Sequence, residues 1–171
     1  HSGVGAHHSN GIAERSIGTV MSITRAMLHH AAIHWPEVAD VGLWPLAALH
    51  AVYVLNRLPK EDTGQSAYEL FTRTTWPRGK FHDFHVWGSP AYVLDDSLAD
   101  GRKLPRWRPR SGRHVYVGNG ATLTAHSHAT PLILNLDTGK ITAQYHVIHD
   151  DHFSTVHTSN DEQPNFDHDD W

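Results

Sequence analysis

Between Gly11 and Ala31 the apolar residues Ala13, Ile17, Val20, Met21, Met27, Leu28 and Ala31 recur at helical spacing and form one stripe. The spacing predicts a helix over 11–31 that Ser9 or Asn10 can cap. Glu14, Gly18 and Arg25 fall on another face. Gly18 weakens the helix by about 1 kcal/mol relative to Ala, which marks either a close-packing site or drift. Trp35-Pro36 ends the segment and leaves room for a short turn through Asp40. A second helix is predicted from near Trp44 to about Arg57, with Pro45 at its first position, where a missing N–H costs nothing. Its residues Leu46, Ala47, Leu49, Val52, Tyr53, Val54 and Leu55 are apolar nearly all round, the pattern of a buried helix. Leu58-Pro59 stops it. Ser66-Ala67-Tyr68-Glu69 reads as a capping box that opens a short helix from Ala67 to about Phe71.

After Trp76-Pro77 the period changes to alternation. Phe84 and Val86, then Ala91 and Val93, predict a strand interrupted near Gly88-Ser89-Pro90. Val115 and Val117 alternate with His114 and Tyr116. Leu132, Leu134 and Leu136 alternate, then Asp137-Thr138-Gly139-Lys140 makes a turn, and Ile141, Ala143, Tyr145 and Val147 follow on one face. That pair predicts a hairpin with Gly139 at a positive-φ position. Short strands with glycine-rich turns point to a small barrel. From His157 onward there are too few apolar groups to fold.

Composition changes the picture mainly through its distribution. The chain has 171 residues, 39% of them hydrophobic, and no cysteine, so neither a disulfide framework nor a thiolate metal site is available. No apolar run approaches the roughly 20 residues needed to cross a bilayer, and the chain reads as soluble and intracellular. The net charge of −4 hides an asymmetry. Arg102, Lys103, Arg106, Arg108, Arg110 and Arg113 lie in one stretch without an acid, whereas Asp161, Glu162, Asp167, Asp169 and Asp170 close the chain without a base. That order fits a polyanion-binding domain joined to a solvated acidic tail, with a solvated loop and a disordered end as the plainer alternative.

Asn10-Gly11-Ile12-Ala13-Glu14-Arg15, Ala51-Val52-Tyr53-Val54-Leu55-Asn56-Arg57-Leu58-Pro59 and Ser66-Ala67-Tyr68-Glu69 resemble the end of the integrase core of copia-type LTR retrotransposon polyproteins. Val86-Trp87-Gly88-Ser89-Pro90-Ala91-Tyr92-Val93, Val115-Tyr116-Val117-Gly118 and Asp137-Thr138-Gly139-Lys140 resemble the SH3-like barrel that follows that core. Six blocks agree in order and spacing. The resemblance implies an α+β chain in three parts: residues 1–75 as the C-terminal helices of an RNase H-like core, 76–156 as an SH3-like β-barrel, and 157–171 as a disordered acidic tail. It implies a role in DNA integration in the nucleus, with DNA or RNA as partner and a homo-oligomer in the intact family context.

The family's active site is two aspartates and a glutamate that hold two Mg²⁺ or Mn²⁺ ions for in-line phosphoryl transfer. Glu14 matches the glutamate, with Arg15 beside it as a nucleic-acid contact. The two aspartates would lie upstream, and neither Asp40 nor Asp62 is placed to replace them. The expectation is therefore a truncated integrase that is inactive and metal-free alone. Ser16, Ile17 and Gly18 stand where the family has a basic and polar run, which removes positive charge near phosphate. A non-catalytic protein-interaction module on the barrel is the alternative.

Two further features could carry chemistry. Trp107 stands among the arginines, between Pro105 and Pro109, and arginine beside an exposed aromatic can clamp phosphate and stack on a base. There are also 17 histidines. His30 and His34, four apart on or just past a helix, have a geometry that can bind zinc; His146, His149 and His152 cluster beside Asp150 and Asp151, and His7 and His8 lie near Glu14. Without cysteines or an H-E-x-x-H pattern the signal is weak, and exposed polar surface is the alternative.

Overall fold

The computed structural model describes residues 10–75, 81, 84–95, 98, 103, 105–120 and 130–156. Ser9, His7, His8, Arg102 and the acidic tail lie outside these described residues. Among them, the chain is mixed helix and sheet: three α-helices, a 3-10 turn and one five-stranded antiparallel sheet. No helix among the described residues is long and apolar enough to cross a membrane.

Helix α1 runs from Gly11 to His34, three residues past its expected end. Trp35 closes it, with its N–H still donating to the Ala31 carbonyl at 2.8 Å, before Pro36 prevents continuation. Asn10 is the N-cap, but its side chain makes no capping bond. The buried residues of α1 are Thr24, Leu28, Ala31 and Ala32, all in its second half. The Thr24 hydroxyl is satisfied by donating to the Val20 carbonyl at 2.8 Å.

A 3-10 turn, Val41–Leu43, is capped by the Asp40 carboxylate, which accepts from the Gly42 N–H. It leads into α2, Trp44–Leu55, with Pro45 in the first turn as expected. Helix α2 is buried on one side only, through Ala47, His50, Ala51 and Tyr53, while Trp44, Leu49 and Val52 face solvent. Apolar composition alone overstated its burial. Helix α3, Ala67–Thr72, opens on the expected capping box. The Ser66 hydroxyl accepts from the Glu69 N–H at 3.1 Å, and the Ser66 N–H donates to the Glu69 carboxylate at 2.7 Å.

Strands β1 (Pro90–Leu94), β2 (Ser111–Asn119), β3 (Pro131–Leu134), β4 (Ile141–Ala143) and β5 (Val147–His149) pair in the order β4-β3-β2-β1-β5. The register sets Ala91 opposite both His114 and His149, and Tyr116 opposite Ile133. A bulge between Tyr116 and Gly118 shifts the β2–β3 register, bending the longest strand. Gly139 turns the β3–β4 hairpin at φ 66°, the predicted left-handed position.

The alternating run 141–147 is not one strand. Its first part pairs with β3 and its last part with β1, at opposite edges of the sheet. Three residues join Ala143 to Val147 and can span at most about 14 Å. In a flat five-stranded sheet β4 and β5 would stand about 19 Å apart. The sheet therefore curls until its edges approach, and Tyr145 on the connection is exposed rather than on a core face.

Residues 84–89 also depart from the expected strand. Gly88 adopts φ 83°, and a Cβ there would lie 3.0 Å from the Ala31 side chain. The turn brings its carbonyl to the Trp35 indole N–H, which donates to it at 2.8 Å, and it buries Trp87. Trp87 joins Leu28, Ala31 and Trp35 near the end of α1, Ala47 of α2, and Val115, Val117, Leu132 and Leu134 of the sheet in one cluster. Ala91, Val93, Tyr116 and Ile133 form a second, against Val147. Helices and sheet thus share a core.

Candidate nucleic-acid interface

The basic segment lies in the loop between β1 and β2. Beyond the last pair, Leu94 with Ser111, the Asp95 N–H donates to the Arg110 carbonyl at 2.9 Å and closes the base of the loop. Towards the β2 end of the loop, the Arg108 N–H donates to the Pro105 carbonyl at 3.0 Å. This turn presents Trp107 to solvent at 91% exposure, with the Arg106 guanidinium 5.8 Å from its ring centre. Lys103, Arg106, Arg108 and Arg110 are exposed. Arg108 lies 3.9 Å from the Asp95 carboxylate, a long and solvated ion pair worth little to stability.

Arg113 stands apart. It sits on β2, donates to the Thr155 carbonyl at 3.0 Å, and lies 5.6 Å from the Trp35 ring, so it ties the C-terminal turn to the helical side. The structure therefore gathers Arg106, Trp107, Arg108 and Arg110 on one exposed loop, while Arg113 carries a structural contact. Arg102 is outside the described residues.

Glu14 and Arg15 are exposed in the first turns of α1. Among the described residues, no group of three or more His, Cys, Asp or Glu side chains is arranged to hold a metal ion. A two-metal centre needs several carboxylates, and a single exposed one does not fit Mg²⁺ or Mn²⁺ in that role.

Two of the histidines pack instead. His30 meets Phe153 edge-on and His34 stacks on it, with ring centres 4.7 and 4.2 Å away. Phe153 is held at φ 54°, in a turn that Asp150 organises by accepting from the Ser154 hydroxyl and from the N–H and hydroxyl of Thr155. Those bonds, led by the Thr155 hydroxyl, hold the Asp150 carboxyl down to about 2. Burial, then the neighbouring His30, lowers His34.

Sequence reasoning missed a second grouping, His50, His85 and His149 around the Tyr116 ring at 5.7, 5.8 and 5.0 Å. His85 and His149 stack with ring centres 3.5 Å apart, and the His85 Nδ1 lies 2.9 Å from the Asp151 carboxylate, which also accepts from the Val86 N–H. Burial pushes His50 and His149 down to about 4, and raises the Tyr116 phenol. The sequence singles out His149 and Asp151, but with His146 and His152 as neighbours. His50 and His85 come from segments far away in sequence and carry no signal of the grouping.

One groove is lined by Arg57, Lys60, Glu61 and Glu69 among others, of which Arg57 and Glu69 are already engaged. The Arg57 guanidinium lies 3.7 Å from the Tyr53 ring centre and donates to the Tyr53 carbonyl, and Glu69 serves the α3 cap. Among the described residues, the loop 105–110 sets three unburied arginines in sequence around a ring that is 91% exposed. Comparison with protein-family models, with curated proteins and with solved structures finds no match to this chain.

Proposed function

We propose that this chain is a nucleic-acid-binding part of a copia-type retrotransposon integrase, with the 105–110 loop as its contact. In this reading α1–α3 correspond to the last helices of an RNase H-like core, and the curled sheet to the SH3-like barrel that follows. The reading is supported by the strand order β4-β3-β2-β1-β5 with a long bent β2, in which β5 returns to pair with β1. It is also supported by Glu14 opening the long helix, where the family glutamate stands. The observation that carries the binding role is the solvated Arg106, Arg108 and Arg110 around an exposed Trp107. Guanidinium groups neutralise phosphates and release counterions, which supplies affinity without reading sequence.

The proposed role is binding rather than strand chemistry. In the intact family enzyme Mg²⁺ or Mn²⁺ would drive phosphoryl transfer in the nucleus. Here no group of three or more His, Cys, Asp or Glu side chains, Glu14 included, is arranged to hold a metal ion among the described residues. Binding to duplex DNA, measured from about 50 to 200 mM salt, is expected to weaken steeply, with the slope reduced by up to about 0.9 per arginine removed in Arg106→Ala, Arg108→Ala, Arg110→Ala. An affinity and slope unchanged by the triple variant would favour the protein-interaction reading. Strand transfer with Mg²⁺ or Mn²⁺ that disappears in Glu14→Gln would overturn the view of the chain as a binder.

A further inference from the structure

We propose that Trp107 is a stacking platform for an unpaired base, so that the β1–β2 loop prefers single-stranded nucleic acid to duplex; this rests on the nucleic-acid reading above. A phosphate-only contact has no use for an aromatic ring in water. Trp107 is 91% exposed in a turn closed by a backbone hydrogen bond, three residues from the bond that closes the base of the loop, so the ring is presented rather than left over from packing. Pro105 and Pro109 flank the turn and limit its backbone freedom, which lowers the ordering cost on binding. Arg106 lies 5.8 Å from the ring centre, and Arg108 and Arg110 follow at alternate positions. One loop therefore offers a flat apolar surface with one guanidinium beside it and two more within three residues, which matches a base followed by its own phosphates.

The strand state follows from geometry. In a duplex both faces of each internal base are covered by its neighbours, so an indole cannot stack without unstacking a step. In a single strand the bases turn out freely, and each stacked base adds an increment of about 10- to 100-fold over phosphate contact alone. Stacking involves no counterion release, so this increment should be independent of salt, unlike the arginine contribution. Every base has a π-face, so the preference should be for strand state and not for sequence. The ring and the cations act alike on DNA and RNA.

The test uses the full chain with oligodeoxythymidylate, oligouridylate and a DNA duplex capped by hairpins at both ends, so that no terminal base pair offers a free face. Anisotropy titrations from about 50 to 200 mM salt should show both single strands bound about tenfold or more tighter than the capped duplex. In Trp107→Ala that ratio should fall to near one, with the salt slope for single strands retained; Trp107→Phe should keep part of the ratio. Trp107 is exposed, so a thermal melt should show the variant folded. A ratio near one in the intact chain, or a ratio that survives Trp107→Ala, overturns the stacking role while leaving the phosphate-binding reading standing. Failure to bind either strand state overturns both.

Discussion

The two halves of α1 carry the same apolar stripe and meet opposite fates. In the second half Leu28 is 6% exposed and Ala31 is buried with it, against Trp35, Ala47, Trp87 and the β2–β3 face. In the first half Ile17 is 63% exposed, and Ile12 and Met21 also face solvent. A Cβ added at Gly18 would meet nothing within 4 Å, so that glycine is not a close-packing site. Periodicity identifies a face, but only a partner buries it. The first half is held by propagation from the second, since a helix of about twelve residues is marginal alone. Amide exchange should therefore quicken from His34 towards Gly11 along one continuous helix.

The largest effects should come where the second half meets the sheet. Trp87→Ala removes the largest fully buried side chain from a cluster that joins both helices to β2 and β3. It should cost about 3–5 kcal/mol, and α2 and β3 should lose exchange protection together. Independent loss of the helices, with the sheet left protected, would break the picture of a shared core. Leu28→Ala should cost about 2–5 kcal/mol for the same reason and is the direct partner to a change at Ile17.

Acid should act on the same region. His50 and His149 are held near 4 in the folded chain against 6.5 when exposed, by burial first and, for His149, by His85 next. Tyr53, Tyr116, His85 and Asp151 face them. The unfolded chain takes up these protons more readily, so their contribution is complete above about pH 6.5 and drains away as pH falls through 4. A tenfold change in proton affinity corresponds to about 1.4 kcal/mol, so the loss should reach a few kcal/mol. Asp150 adds the same sign in a lower window, from 3.8 towards about 2. Chemical denaturation at stepwise pH is the measurement. His50→Gln should flatten the curve between 6.5 and 4; an equally steep curve would remove His50 from the account.

Ser66→Ala tests a local device and should cost about 1 kcal/mol, read as a lower unfolding midpoint, because the Glu69 N–H loses its cap. Its legibility is instructive. The capping box, the Gly139 turn and the start of α2 were readable because each is decided within a few residues. The split between β4 and β5 was not, because it depends on β3 and β1 lying on opposite sides of β2 in the strand order. The turn at Gly88 depends on Ala31 and Trp35, and the histidine cluster on residues from 50 to 151. Among the candidate contacts, the charge of the 105–110 loop was legible as composition. Arg113 was not separable from it, since its partner Thr155 lies 42 positions on.

The smallest effect should be at Ile17, and it is the sharpest use of the comparison. Ile17 and Leu28 lie on one face of one helix, and any sequence-based ranking would treat them alike. In the structure Ile17 is already mostly in water, so Ile17→Ser removes little buried area and leaves no cavity. Serine and isoleucine also have similar helix propensities. The change in unfolding free energy should stay within about 0.5 kcal/mol. Measured beside Leu28→Ala under the same conditions, a near-zero value at Ile17 would confirm that the stripe is used over half its length. A loss of more than about 1.5 kcal/mol at Ile17 would mean that something covers the first half of α1 in solution, and the contrast between the halves would fall.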